Sequence, residues 1–280
     1  MPFWNAIDAV IVVNLDHRTD RWARIRDHLT DIAPAEKIHR LPAVRGTDLP
    51  GYGHARWFRR NRRTTTWAGR AGCILSHRNA LRLALHSRWR RILIMEDDAL
   101  LSAEINATTG SRLAGFLSAP TRHPGFCYLG YTSPRGPSRR IGDLDHTHSL
   151  YAVRGCSATH AYVVDASIFQ PLLNLLPDTD EAVWEWMARH TAIDRWYSLI
   201  ACRLTLVAAV SPHLAIQETS HSDITDREAS YAESGTGDEL SLLQPRILTH
   251  PLANRIAAVR DRFGIVPRTL KWLTRLIRGF

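Results

Sequence analysis

Three consecutive acids, Glu96, Asp97 and Asp98, follow the short apolar run Arg91–Met95 (RILIM). Adjacent carboxylates repel one another unless positive charge sits between them. Hard divalent cations take oxygen ligands, and Mg²⁺ or Mn²⁺ usually keeps positions open for substrate phosphates. A metal bridging this acidic turn to a diphosphate is therefore coherent chemistry, since it would offset charge on the leaving diphosphate. The competing reading is a helix N-cap with a favourable acidic first turn.

The elements around the acids must place them. RILIM reads as a buried strand, and ligands in open α/β sheets bind at the carboxyl ends of strands. Ala9–Leu15 (AVIVVNL) reads as another buried strand. Thr19-Asp20 then starts a helix with Trp22, Ile25 and Leu29 on one face. A strand followed at once by a helix opens an α/β fold. Asn14 and Arg21 fall at the nucleotide-facing edge of such a sheet, and Arg18 could contact phosphate. The alternative for both arginines is a solvated helix start.

Further along, Ile38–Val44 reads as a strand, with a loop from Gly46. The arginine-rich segment His54–Arg70 reads as a solvated loop, Gly72–Ser87 as a helix and Ser133–His148 as a long loop. Ala161–Val164 reads as a strand, followed by a helix through Phe169 to Leu176 that Pro177 ends. Another helix is expected over Glu181–His190 and a buried strand over Leu204–Val210. Ser222–Leu242 reads as polar and irregular.

Composition bounds the class. The 280 residues are 45% hydrophobic and 22% charged, values of a globular chain that buries a core. Cys73, Cys127, Cys156 and Cys202 are scattered without metal-knuckle spacing and read as reduced core residues. The N-terminus is a poor signal peptide, and no run has the ~18 apolar residues of a membrane span. A cytoplasmic location is the expectation, with peripheral attachment to the inner membrane face as an option. The net charge is +9, and Lys37 and Lys271 are the only lysines. Such arginine excess suits phosphate, carboxylate or anionic-membrane partners. No nucleic-acid-binding motif is present, so no specific nucleic-acid partner is expected.

The C-terminal stretch Arg268–Phe280 (RTLKWLTRLIRGF) differs in character. Leu270, Trp272, Leu273, Leu276 and Ile277 can share a broad apolar face, with basic residues around it. That is the pattern of a basic helix on an anionic membrane. Docking on its own domain is the alternative. The division expected is a catalytic domain over 1–250 and a basic amphipathic tail over 251–280.

Six segments, in order, resemble glycosyltransferase family 25, which includes lipooligosaccharide and collagen galactosyltransferases. They are VIVVNLDHRTDRW with Asn14, Leu15 and Arg21; LPAVRG (41–46); AGCILSH (71–77), about twenty residues before the acids; CSATHAYVV (156–164); AID (192–194); and SPHLAIQETSHSDI (211–224). Two departures are Ala158 where the family has Gly, and Ala192 where it has Pro. The resemblance implies a GT-A-type, Rossmann-like mixed sheet flanked by helices. It also implies an inverting transfer from a UDP-sugar with Mn²⁺, and galactose as the family-weighted sugar. The acceptor would be a glycan or lipid-linked glycoconjugate, as in lipopolysaccharide biosynthesis.

Roles follow from that resemblance. Asp98 is the first metal ligand expected, with Glu96 on a metal-bound water or ribose; the alternative for Asp97 is a cap on the following turn. His221 or Asp223 would complete the metal sphere. Asn14, Leu15, Arg18, Arg21, Ser76, His77, Glu96, Asp97, Tyr162 and Gln217 would line the donor site. Asp194 is the expected general base, with Glu218 the competitor. An N-cap is the structural alternative for Asp194, and a core position for Tyr162. A metal-dependent phosphodiesterase or nuclease would use the same acids, and a basic binding protein the same surface charge.

Overall fold

The computed structural model describes residues 1–58, 64–218, 220–222, 227–229 and 265–279. Its centre is an eight-stranded mixed sheet in the order β2-β1-β3-β8-β5-β9-β7-β6. β1 (Ala9–Asn14) pairs in parallel with β2 (Ile38–Pro42) and with β3 (Arg91–Glu96). β3 pairs antiparallel with β8 (Ala161–Asp165), which pairs antiparallel with β5 (Pro124–Gly130). β5 runs parallel to β9 (Leu206–Ser211). β7 (Ser149–Ser157) and β6 (Ser133–Asp143) extend the sheet as antiparallel neighbours.

The strands are apolar on both sides because the sheet is covered on both. Ala9, Ile11, Ile92, Ile94, Phe126 and Tyr162 face α3 (Thr64–His86), α5 (Phe169–Leu173), α6 (Val183–His190) and α7 (Ile193–Leu204). Val10, Val12, Leu93, Met95 and Val163 face α1 (Thr19–Thr30) and α4 (Thr108–Leu117). Alternate residues of one strand thus enter different cores, as the period of two requires. This is the α/β sandwich expected, with helices on both faces of a mixed sheet.

Several boundaries differ from the sequence expectation. The loop expected over Ser133–His148 is largely the edge strand β6, bulged at Arg135/Ser138 and Arg140/Gly142. Pro134, Pro137 and Gly136 break the alternation that signals a strand, yet proline is tolerated at a sheet edge. The loop expected over His54–Arg70 holds the short helix α2 (Ala55–Phe58) and the first turns of α3. Residues 59–63 lie outside the described residues. α5 ends at Leu173 rather than at Leu176, and α7 fills the chain up to Leu204, so β9 starts at Leu206.

Gly46 and Gly72 let the loop after β2 press onto α3. A Cβ on Gly46 would lie 1.6 Å from the Ala68 carbonyl oxygen, and one on Gly72 would lie 2.2 Å from that of Val44. The last helix, α8 (Ile265–Arg278), packs on α6 and α2. Trp272 and Leu276 are its core-facing residues. The four cysteines are free thiols, Cys127 and Cys156 fully buried. Among the described residues, no helix is long and apolar enough to cross a membrane.

Candidate active site

The acids sit at the carboxyl end of β3, and no helix follows them. Asp97 and Asp98 form a turn into β4 (Ala99–Leu101). The helix-capping alternative therefore has no helix to cap. β4 pairs antiparallel with β10 (Ala215–Gln217), Ala99 opposite Gln217. That pairing carries Gln217 across 119 positions of sequence to the acids: its Nε2 donates to both Asp98 oxygens at 3.1 Å. The Glu218 backbone N–H donates to the Asp98 carbonyl at 2.8 Å.

Asp97 is held from the other side. Asn14 Nδ2, at the end of β1, donates to its Oδ2 at 2.7 Å, and Arg21 on α1 donates to its Oδ1 at 2.9 Å. The same guanidinium lies 3.8 Å from Asp98. Arg40 on β2 steadies Asn14 by donating to its Oδ1 at 2.8 Å, and also reaches Asp16. Asn14, Arg21, Asp97, Asp98 and Gln217 thus form one buried knot. Leu15 is half-buried beside it and accepts from the Arg18 N–H, while the Arg18 side chain pairs with Asp20.

Glu96 turns toward a second group. It accepts from Thr159 Oγ1 at 3.3 Å and lies 3.7 Å from His77 Nε2. His77 Nδ1 is 2.6 Å from the Tyr162 hydroxyl, which reaches Tyr197 at 3.3 Å. Tyr162 is also stacked on Phe126, and is both core and part of this network. Ser76 is buried and bonds only to backbone: to the Gly72 carbonyl and from the Val44 N–H. Those contacts clasp the β2 loop to α3, which places Ser76 in the frame of the site rather than on an open wall.

The three acids differ electrostatically. Burial pushes Asp98 up to about 7, the charges of Glu96 and Asp97 add to it, and Gln217 and Arg21 oppose it. Burial also raises Asp97, against the bonds from Asn14 and Arg21. Burial works against the Glu96 charge too, but His77, His160 and Thr159 outweigh it and hold that carboxyl below its usual range. Burial first, and the neighbouring carboxylates after it, thus make the charged form of Asp98 costly.

The three acids are hard oxygen donors of the kind Mn²⁺ or Mg²⁺ takes, but among the described residues their oxygens do not converge as one three-ligand cluster: Asp97 is engaged by Asn14 and Arg21, and Glu96 faces His77. A softer set lies close by, with donor atoms of Cys73, His77 and Glu96 all within 4.8 Å of one another. Burial holds the Cys73 thiol well above its usual range, so a metal binding there would have to displace its proton. His221 lies in β11 (Ser220–Ser222), paired with β12 (Arg227–Ala229). Its side chain and Asp223 lie outside the described residues.

Asp194 lies in the first turn of α7, and Ala192 rather than Asp194 holds the N-cap position. Asp194 accepts from the Ala158 N–H at 3.3 Å and lies 3.8 Å from Arg135. Ala158 and Thr159 are adjacent, so one short segment touches both Asp194 and Glu96. Glu218 instead pairs with Arg24 at 2.9 Å. Thr159, Arg40 and Arg135 escaped sequence reasoning. Thr159 sat inside a quoted block but drew no role, and no spacing marks the two arginines.

Both departures from the family pattern have a local geometry. Ala158 has φ +63°, a conformation that glycine adopts without strain. Ala192 has φ −156° and donates its N–H to the His190 carbonyl, neither of which proline allows.

Comparison with known proteins bears on this site. Residues 7–118 match the family model of glycosyltransferase family 25 (LPS biosynthesis protein). Over that stretch, less than half of its length, the chain is similar to the family 25 glycosyltransferases. The matched region holds Asn14, Arg21, Ser76, His77 and all three acids; Tyr162, Asp194 and Gln217 lie beyond it. No curated protein matches the chain. Among solved structures, mannose-1-phosphate geranyltransferase from Thermus thermophilus aligns over 74% of each chain, at 14% identity and a TM-score of 0.35. That similarity is too slight to bear on the site.

Proposed function

We propose that this chain is a glycosyltransferase that moves a sugar, galactose being the first to test, from a UDP-sugar to a hydroxyl of a glycan or lipid-linked acceptor, with inversion and with a divalent metal. The observation that carries it is the knot of Asn14, Arg21, Asp97, Asp98 and Gln217 at the carboxyl ends of β1 and β3. Five side chains from three elements and one turn converge where a sheet of this kind binds nucleotides.

Asp98 and Glu96 would hold Mn²⁺ or Mg²⁺, with His221 as a further ligand. The ion's contribution is positive charge against the departing diphosphate. Arg21 and Asn14 fix the Asp97 carboxylate, which keeps the acidic turn in place. Gln217 orients Asp98 and closes the site from β10. Arg18, at the mouth of the first helix, supplies charge toward phosphate. Asp194 would accept the proton of the acceptor hydroxyl; the Ala158 N–H and Arg135 position its carboxylate. Glu218 is the weaker candidate because Arg24 already engages it. The enzyme would work in the cytoplasm, peripherally on the inner membrane face where lipid-linked acceptors lie.

A hydrolysis and transfer screen of UDP-, GDP- and CMP-sugars tests this, first with Mn²⁺ and then with EDTA. Slow turnover of one UDP-sugar that EDTA abolishes is the expected result. Phosphate-ester cleavage without a sugar donor, or turnover indifferent to EDTA, would refute it.

A further inference from the structure

Helix α8 uses only half of its apolar sector to dock. Trp272 and Leu276 pack on the core. Arg275 donates to Thr191 Oγ1 at 2.8 Å and to the Ala188 carbonyl at 3.3 Å, and the Arg189 guanidinium lies 4.5 Å from the Trp272 ring centre. Gly279 (φ +77°) ends the helix so close to α2 that a Cβ would lie 2.7 Å from the Arg56 carbonyl oxygen. These contacts fix the helix on the body of the protein.

The rest of the apolar sector faces out. Leu270, Leu273 and Ile277 are 59%, 43% and 76% exposed. Their spacing of three and four residues puts them on one stripe of an α-helix. Lys271 and Arg278 are exposed along the adjoining stripe, and Ile265–Arg278 contains no acid. Docking and membrane binding, alternatives in the sequence, are therefore compatible here, because different residues serve each.

We infer that this outward face of α8 is a docking surface for a bilayer carrying anionic headgroups. Leucine and isoleucine gain by leaving water for the acyl boundary, while long basic side chains alongside reach the phosphates. Charge decides the occupant. A second copy meeting this face with its helix antiparallel, about a two-fold axis across the helices, would set the Lys271–Arg278 edge against its own like charge. An anionic surface complements that edge, and the net charge of +9 adds a general attraction.

Vesicle flotation of the full chain tests the inference without any turnover, so its outcome is separate from that of the donor screen. Wild type should float with phosphatidylglycerol-containing vesicles, stay down with phosphatidylcholine alone, and release at high salt. Leu270→Ser/Leu273→Ser/Ile277→Ser should cut the partition coefficient on the order of tenfold or more. If that variant melts below wild type, Lys271→Glu/Arg278→Glu replaces it, with a loss of about fivefold per removed positive charge. Binding that is absent, equal on neutral vesicles or equal in these variants would overturn it. So would a dimer in sedimentation velocity that the triple variant dissolves while vesicles go unbound.

Discussion

Replacing Arg21 by Met tests whether the acidic turn depends on its guanidinium. Arg21 is 5% exposed, donates to Asp97 at 2.9 Å and lies 3.8 Å from Asp98. Breaking a buried pair by removing one partner costs roughly 3–5 kcal/mol, because the other charge is stranded. The stranded acid can escape by taking up a proton. From an ordinary pKa of 3.8, that escape costs about 4 kcal/mol at pH 7 and about 1.6 kcal/mol at pH 5. The cost of Arg21→Met is therefore capped near 4 kcal/mol at pH 7 and should fall below about 2 kcal/mol at pH 5. The sign is consistent: in the variant Asp97 binds its proton more tightly folded than unfolded, so stability is lost as pH rises. Urea melts of wild type and variant at the two pH values measure both numbers. Adding Asp97→Asn removes the stranded charge, so the double variant should be more stable than Arg21→Met at pH 7. A loss under about 1 kcal/mol, or one independent of pH, would refute the reasoning.

Four further outcomes follow from named contacts. Gly72→Ala puts a Cβ 2.2 Å from the Val44 carbonyl oxygen, so the clasp must open; a loss of about 1–3 kcal/mol in denaturant melts is expected. Ala158→Gly relieves a left-handed alanine worth about 1–2 kcal/mol against an unfolded-state entropy cost of about 0.4–1 kcal/mol, so thermal melting should show a small net gain. Asp194→Asn should lower kcat about 10²–10⁴-fold with donor KM nearly unchanged, whereas Glu218→Gln should not. Burial, with Arg189 adding to it, holds His190 down to about 4. Its share of stability is complete above the unfolded value of 6.5 and is lost as pH falls from there toward 4, so His190→Gln should flatten the acid limb of a stability–pH profile.

How far the site was legible depended on whether its parts were local. β1, the start of α1 and β3 announce themselves through apolar runs and a helix start, so Asn14, Arg21 and the acids were placed from sequence. Gln217 could be reached by resemblance alone, because a pairing between two three-residue strands, β4 and β10, brings it to Asp98. No periodicity survives in strands so short. Edge strand β6 was missed for a related reason: its prolines, glycine and arginines follow the solvent and the bulges, not a core. Arg135, which reaches Asp194, went with it.

Ser76 and His77 show where spacing misleads. They are adjacent on α3, in the same quoted block, and equally buried. Yet a helix turns 100° per residue, so neighbours serve different surfaces. Ser76 is spent on the Val44–Gly72 clasp, while His77 points to Glu96 and Tyr162. The two glycines of neighbouring blocks belong with Ser76: Gly46 and Gly72 are the positions where loop and helix backbones touch. A motif that reads as one functional block is therefore two devices. One holds a loop against a helix, and the other sets the charge of the first acid in the turn. Ser76→Ala should then weaken the fold with donor KM little changed. His77→Gln should act on Glu96 and so on metal dependence, and equal effects of the two on both readouts would contradict that division.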